Sequence, residues 1–223
     1  MIITLSNTKI SASINTIGAE LSRLEKNNKN YIWTVDEAFW NKTSPILFPI
    51  VGRLKNDSYS INGKSYELPR HGFARNFDFK IENRTENSVI FSLESNAETL
   101  QQFPFEFELK MEYRLTENGL EITYLVSNKS NEVMPFSIGA HPAFVIDNAF
   151  DNYSLVFNPS EKMIFEGFPY LGIWTKPNAP FLCIEPWCGL ADNANHNGNI
   201  EEKEGINLLQ PQEVFSRTIK IEL

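Results

Sequence analysis

Apolar residues recur at every second position through the middle of the chain. Phe77/Phe79/Ile81, Val89/Phe91/Leu93, Phe105/Phe107/Leu109/Met111/Tyr113 and Leu120/Ile122/Tyr124/Val126 each alternate with polar residues. Period-two alternation puts one face of a strand on the core and the other in water, as in antiparallel sheets. Short spacing and tight turns such as Glu117-Asn118-Gly119 point to an all-β sandwich or barrel-like fold. Before this block, residues 2–4 and 10–14 read as two short strands about an Asn7-Thr8 turn. Residues 17–24 follow as a glycine-bearing strand, and 31–33 as another after the NNKN turn. One helical turn fits residues 36–40, and residues 97–103 form a brief helix. Asn62-Gly63 is a two-residue hairpin signal.

Prolines and glycines mark where the pattern breaks. In SPILFPIVGR (44–53) two prolines rule out a central strand, leaving an edge or lining segment that ends in Arg53. The last third is richer in loops. FEGFPYLGI leads to Trp174, FLCIEP leads to Trp187, and residues 205–209 and 217–223 supply two closing strands. Residues 192–203 read as a surface loop, with His196 an ordinary surface residue. No repeat or low-complexity linker divides the chain, so residues 1–223 are expected to form one domain.

Composition narrows the function. With 42% apolar residues in 223, the chain can bury a large core. A net charge of −8 argues against nucleic acid or a membrane surface as partner. Cys183 and Cys188 have neither zinc-site nor disulfide-framework spacing, so a reducing, cytoplasmic setting is expected. The N-terminal sequence lacks signal-peptide character, and no apolar run is long enough to span a membrane.

The candidate chemistry is concentrated in a few stretches. In FSIGAHPAFVI (136–146), His141 lies between small residues and a proline inside an apolar run. Pro142 removes a ladder donor just after it, so the strand is expected to open at a cleft and present the imidazole there. The plainer reading is a buried histidine hydrogen-bonded to a carbonyl. Glu185 closes an apolar strand beside Pro186 and Trp187. It is either a partly desolvated general base or a strand-end acid facing solvent. In RHGFAR (70–75), His71 and Arg75 suit a polar pocket, whereas Arg70 fits a structural salt bridge. Arg53 is a pocket ligand or an ion-paired residue at the core's edge. Trp174, Trp187 and Phe168 are either stacking platforms or core. No P-loop, Rossmann glycine pattern, zinc spacing or nucleophile elbow is present.

Taken together, PIVGR (49–53), RHGFAR (70–75), GAHPAF (139–144), FPYLGIW (168–174), CIEPW (183–187) and DNANHNGNIEEKEGI (192–206) resemble the aldose 1-epimerase (galactose mutarotase-like) superfamily, most closely its LacX-like bacterial branch. The resemblance implies a large antiparallel β-sandwich of supersandwich type. It implies His141 as general acid and Glu185 as general base, with Arg53, His71 and Arg75 binding the substrate. Trp174 is added as a stacking residue for the sugar. The implied activity is anomer interconversion of a hexose or, as a close variant, a hexose 6-phosphate, without metal or cofactor. A carbohydrate-binding or sensing protein with the same pocket is the reading from another class. The partner is then a small-molecule sugar, with the chain a monomer or homodimer. One departure stands out. The interval from His141 to Glu185 is much shorter than is usual in the family, with the shortfall near residues 158–163. Either a segment is omitted there or the sandwich is trimmed.

Overall fold

In a computed structural model, residues 1–147, 150, 153–154 and 167–223 are described. The shortfall expected near 158–163 lies outside them. The described chain is almost entirely antiparallel β-structure. The alternating block becomes a five-stranded sheet, ordered Val214–Glu222, Gly119–Asn128, Phe107–Leu115, Ser88–Glu94, Lys80–Arg84. Facing it is a four-stranded sheet of Ile2–Ser6, Ile10–Asn15, Glu20–Lys26 and Lys29–Asn30. Inward residues of both sheets, among them Ile3, Leu5, Ile14, Leu21, Phe91, Leu109, Met111 and Ile122, belong to one continuous core, as in a β-sandwich. The short helix Ala97–Gln102 begins with an Asn96 capping box. Asn62-Gly63 turns the hairpin Ser58–Ile61/Lys64–Glu67 with both residues at positive φ.

Two local expectations change. Residues 17–19 are a turn, because Gly18 and Ala19 take φ of 70° and 44°, and the strand starts at Glu20. The turn presses on the 70–75 loop: a Cβ on Gly18 would lie 2.7 Å from the Arg75 carbonyl oxygen. Residues 31–33 contribute a single bridge, Ile32 to Phe144. Residues 36–40 make the single turn expected of them: the Trp40 amide donates to the Asp36 carbonyl at 2.8 Å, and the Asp36 side chain accepts the Ala38 amide at 2.9 Å as a cap. The proline-bearing 44–53 segment is a lining segment, buried from Ser44 to Gly52. Leu47 bridges to Gly139 and Phe48 to Gly72.

The sheet that matters for function is built on Phe181–Cys188. On one edge Ile138–Gly139 and Ala143–Val145 pair with it in turn, and on the other edge lies Tyr170–Trp174. Gly139 opposes Trp187 and Ala143 opposes Cys183, so one register runs through both short strands. The intervening Ala140-His141-Pro142 is the expected break, and the register sets His141 opposite Glu185. Directly opposed residues project side chains to the same face, with Cβ atoms about 4.5–5.5 Å apart.

Candidate active site

His141 Nε2 lies 3.2 Å from Glu185 Oε2. Both residues are buried, at 8% and 2% exposure. Burial raises the Glu185 carboxyl to about 8, with nearby Trp187 and Arg70 pulling it down. Burial lowers His141 to about 4. Desolvation penalises the charged form of each group, and that term dominates both shifts. His141 Nδ1 and Glu185 Oε2 have no hydrogen-bond partner among the described residues. His141 is therefore not the carbonyl-satisfied core histidine of the plainer reading, and Glu185 is not a solvent-facing strand-end acid.

The pair lies in a cavity of about 360 Å³, lined by Trp40, Pro45, Arg70, His71, Arg75, Gly172, Ile173, Trp174 and Trp187 as well as the pair itself. This is within the size range of small-molecule sites, about 300–1,000 Å³. His71 stands edge-on to His141, ring centres 5.7 Å apart. Its backbone takes φ of 68°, a conformation that persists in a non-glycine residue only where the surroundings impose it. Here the His71 amide donates to the Gly52 carbonyl at 2.7 Å, and the Gly52 amide donates to His71 Nδ1 at 3.1 Å. Nδ1 is thereby an acceptor, so the proton of the neutral ring is on Nε2. Burial, with the positive charges of Arg75 and Arg70 and with His141, holds His71 down to about 3 and keeps it neutral. The ring is a fixed Nε2–H donor.

Aromatic rings wall the other side. Trp40 lies 4.9 Å and Trp174 5.8 Å from the His141 ring, centre to centre, over Phe181. Trp174 is 39% exposed and forms the rim. Phe168, a stacking candidate on sequence, is buried in the core.

The arginines do not follow the sequence expectations. Arg53 is outside the cavity, its side chain 66% exposed and paired with Asp57 at 2.5 and 2.6 Å. The expectation that it binds substrate has no support in this arrangement. Arg70, read as a salt-bridge residue, lines the cavity instead. Arg75 is half-buried and donates to the Arg70 carbonyl at 2.7 Å. Neither forms an ion pair with a described residue. Trp40 had no signal beyond being an aromatic in a short turn, and it reaches His141 only through tertiary packing.

A nitrogen of His141, the Cys183 sulfur and an oxygen of Glu185 lie within 4.8 Å of one another. Burial pushes the Cys183 thiol well above its usual value, which keeps it protonated and a poor metal ligand. Cys183 and Cys188 are both free and buried. No helix among the described residues is long and apolar enough to cross a membrane.

The 192–206 loop is more ordered inside than its polar composition suggests. Asp192 and Lys203 are a buried pair at 2.6 Å, and His196 is buried beside them. Asp192 also accepts the Lys55 amide at 2.8 Å, and its own amide donates to the Arg53 carbonyl at 3.0 Å. The loop thus braces the turn that carries Gly52, the residue orienting His71.

A sheet interrupted to set a histidine against a carboxylate, inside an antiparallel sandwich, defines a class that comparison with known proteins identifies. Residues 1–164 match the family model Aldose 1-epimerase, and the chain belongs to that family. It is 30% identical to a galactose mutarotase related enzyme from Lactobacillus acidophilus, with a TM-score of 0.88 and 100% and 98% of the two chains covered. It is also 30% identical to a galactose mutarotase-like protein from Lactobacillus casei, with a TM-score of 0.89 and coverage of 100% and 99%. Protein LacX (chromosomal) of Lactococcus lactis subsp. lactis is 28% identical over 295 positions, covering 99% of each chain. Set against 223 residues, 295 positions leave at least 72 without a counterpart here. The family-model match ends beside the expected shortfall.

Proposed function

We propose that this chain is an aldose 1-epimerase, a mutarotase that interconverts the α and β anomers of a hexose by opening and closing its ring. The observation that carries the reading is the buried His141–Glu185 pair, 3.2 Å apart at the floor of the cavity. Mutarotation needs one group to take a proton and another to give one. Between about pH 4 and about 8 the pair holds a single proton, the state this chemistry requires. With that proton on His141, Glu185 takes the proton of the anomeric hydroxyl while His141 delivers one to the ring oxygen. The C1–O5 bond breaks, giving the open aldehyde. Rotation about C1–C2 and closure with the roles reversed yield either anomer. Sugar hydroxyls in the cavity, with the His71 Nε2–H, stabilise the ionic arrangement that burial alone disfavours. Trp174 and Trp40 offer flat apolar faces to the sugar's C–H surface.

A second reading, hexose-6-phosphate mutarotase, is favoured by Arg70 and Arg75. Both line the cavity with no carboxylate partner among the described residues, and guanidinium groups so left are suited to phosphate oxygens.

The test is polarimetry on freshly dissolved α-D-glucose, α-D-galactose and glucose 6-phosphate against the uncatalysed rate. Acceleration is expected to fall by about 10²–10⁴ in His141→Asn and in Glu185→Gln. A preference for the phosphate ester, lost in Arg75→Ala, would select the second reading. Sugar binding by folded wild type with no acceleration would overturn both and leave a carbohydrate-binding protein.

A further inference from the structure

Cys183, Glu185 and Trp187 are alternate residues of one strand, so their side chains leave on the same face. Trp187 therefore shares the cavity side with Glu185, and its indole lies in a narrow slot. On one flank a Cβ at Gly139 would stand 2.5 Å from the indole Cδ1. On the other, a Cβ at Gly172 would stand 2.6 Å from Cζ2. Neither glycine is in the left-handed region, so the backbone there would accept any residue. What excludes a side chain at both positions is the room taken by the indole. Gly172 is also the residue opposite Glu185 on the neighbouring strand.

The slot leaves a polar atom unused. Trp187 Nε1 is buried and has no hydrogen-bond partner among the described residues. Buried indole N–H groups ordinarily find an acceptor. The unpartnered Glu185 Oε2 is in the same cavity. The nearby indole also pulls the Glu185 carboxyl down against burial.

We propose that Trp187 is a positioning residue for Glu185: the two glycines hold its indole so that Nε1–H donates to the carboxylate once Glu185 ionises. This rests on the reading of Glu185 as the base, and it extends that reading to a residue whose aromatic ring alone suggests only stacking. The hydrogen bond is stronger to the charged carboxylate than to the protonated carboxyl, which favours the base-competent state.

The test combines the kcat–pH profile with NMR of ¹³C-labelled Glu185 and ¹⁵N-labelled tryptophan. In wild type, the Trp187 indole resonance is expected to move with pH at the midpoint of the Glu185 carboxyl. In Trp187→Phe that midpoint is expected to rise by roughly one unit, as for loss of a hydrogen bond to a charged group. The alkaline limb of kcat, set where the pair loses its shared proton, moves with it, kcat falls about tenfold, and KM stays within about twofold. Gly172→Ala, which keeps the indole and displaces it, is expected to shift the carboxyl midpoint the same way. Should Trp187→Phe fail to fold, the wild-type indole titration and Gly172→Ala still decide. An indole resonance blind to Glu185 ionisation overturns the proposal. So does a slower Trp187→Phe enzyme with an unmoved carboxyl midpoint, which would leave Trp187 a packing residue. Wild type that shows the coupled titration without turnover would overturn the epimerase reading and leave the pairing standing.

Discussion

Glu185 leaves water on folding and gains too little in return to stay ionised at neutral pH. Its folded value, about 8, is above its unfolded one near 4.5, so the folded chain binds the extra proton across that window. The sign follows for this group: its contribution to stability is greatest below about 4.5 and falls as pH rises towards 8. At pH 7 the penalty is about 3 kcal/mol. Glu185→Gln, while slowing turnover, should therefore raise the melting temperature at pH 7 by about 5–10 °C. Calorimetry at pH 7 and pH 4.5 checks this. The gain should vanish at the lower pH, and an equal gain at both would contradict the assigned cause. The same two groups set the activity profile. Turnover should fall above about 8, where the pair loses its shared proton, and below about 4, where it gains a second.

At the scale of elements, the 192–206 loop and the 52–57 turn act together. The buried Asp192–Lys203 pair accepts from one end of the turn, and the Gly52 amide at the other end fixes the His71 ring. Removing one member of a buried ion pair strands the other charge, at a cost of about 3–5 kcal/mol. Asp192→Asn should show that loss in urea unfolding and weaken sugar binding as His71 loses its orientation. Asp192→Leu with Lys203→Met should recover most of the stability, because no charge is then left unpaired. This loop was legible as a family motif but not as a buried one, because polar composition does not reveal which side chains pair. The alternating strands were legible because period-two burial is a local property of each segment. Residues 17–19 and 31–33 differ from the strands expected of them for the converse reason: positive φ at Gly18 and Ala19 and a lone bridge at Ile32 depend on their neighbours.

For the whole molecule, the cavity draws on residues 40, 45, 70–75, 141, 172–174 and 185–187, which are distant along the chain. A sugar that bridges these walls should stabilise the fold as a unit. At a concentration 100 times its Kd, the expected gain is about 2.7 kcal/mol, read as a rise in melting temperature. At that same concentration the rise should shrink in Trp174→Ala and His71→Ala, whose walls would contact the sugar. An unchanged rise in both would remove this cavity as the sugar site. The at least 72 positions that LacX has and this chain lacks leave His141, Glu185, His71 and the aromatic wall in place.

By itself the sequence determined the all-β class, the hairpin turns, the break at Pro142 and the small set of side chains able to do acid/base chemistry. These depend on local periodicity, backbone restriction and residue type. Only the tertiary structure decided which of those side chains meet. The register through Gly139 and Ala143 sets His141 against Glu185, and the backbone of Gly52 chooses the His71 tautomer. Packing also brings Arg70 and Trp40 into the cavity and leaves Arg53 outside on Asp57. Register, exposure and ion-pair choice are non-local outcomes, because each depends on residues far away in sequence competing for the same partners and the same water.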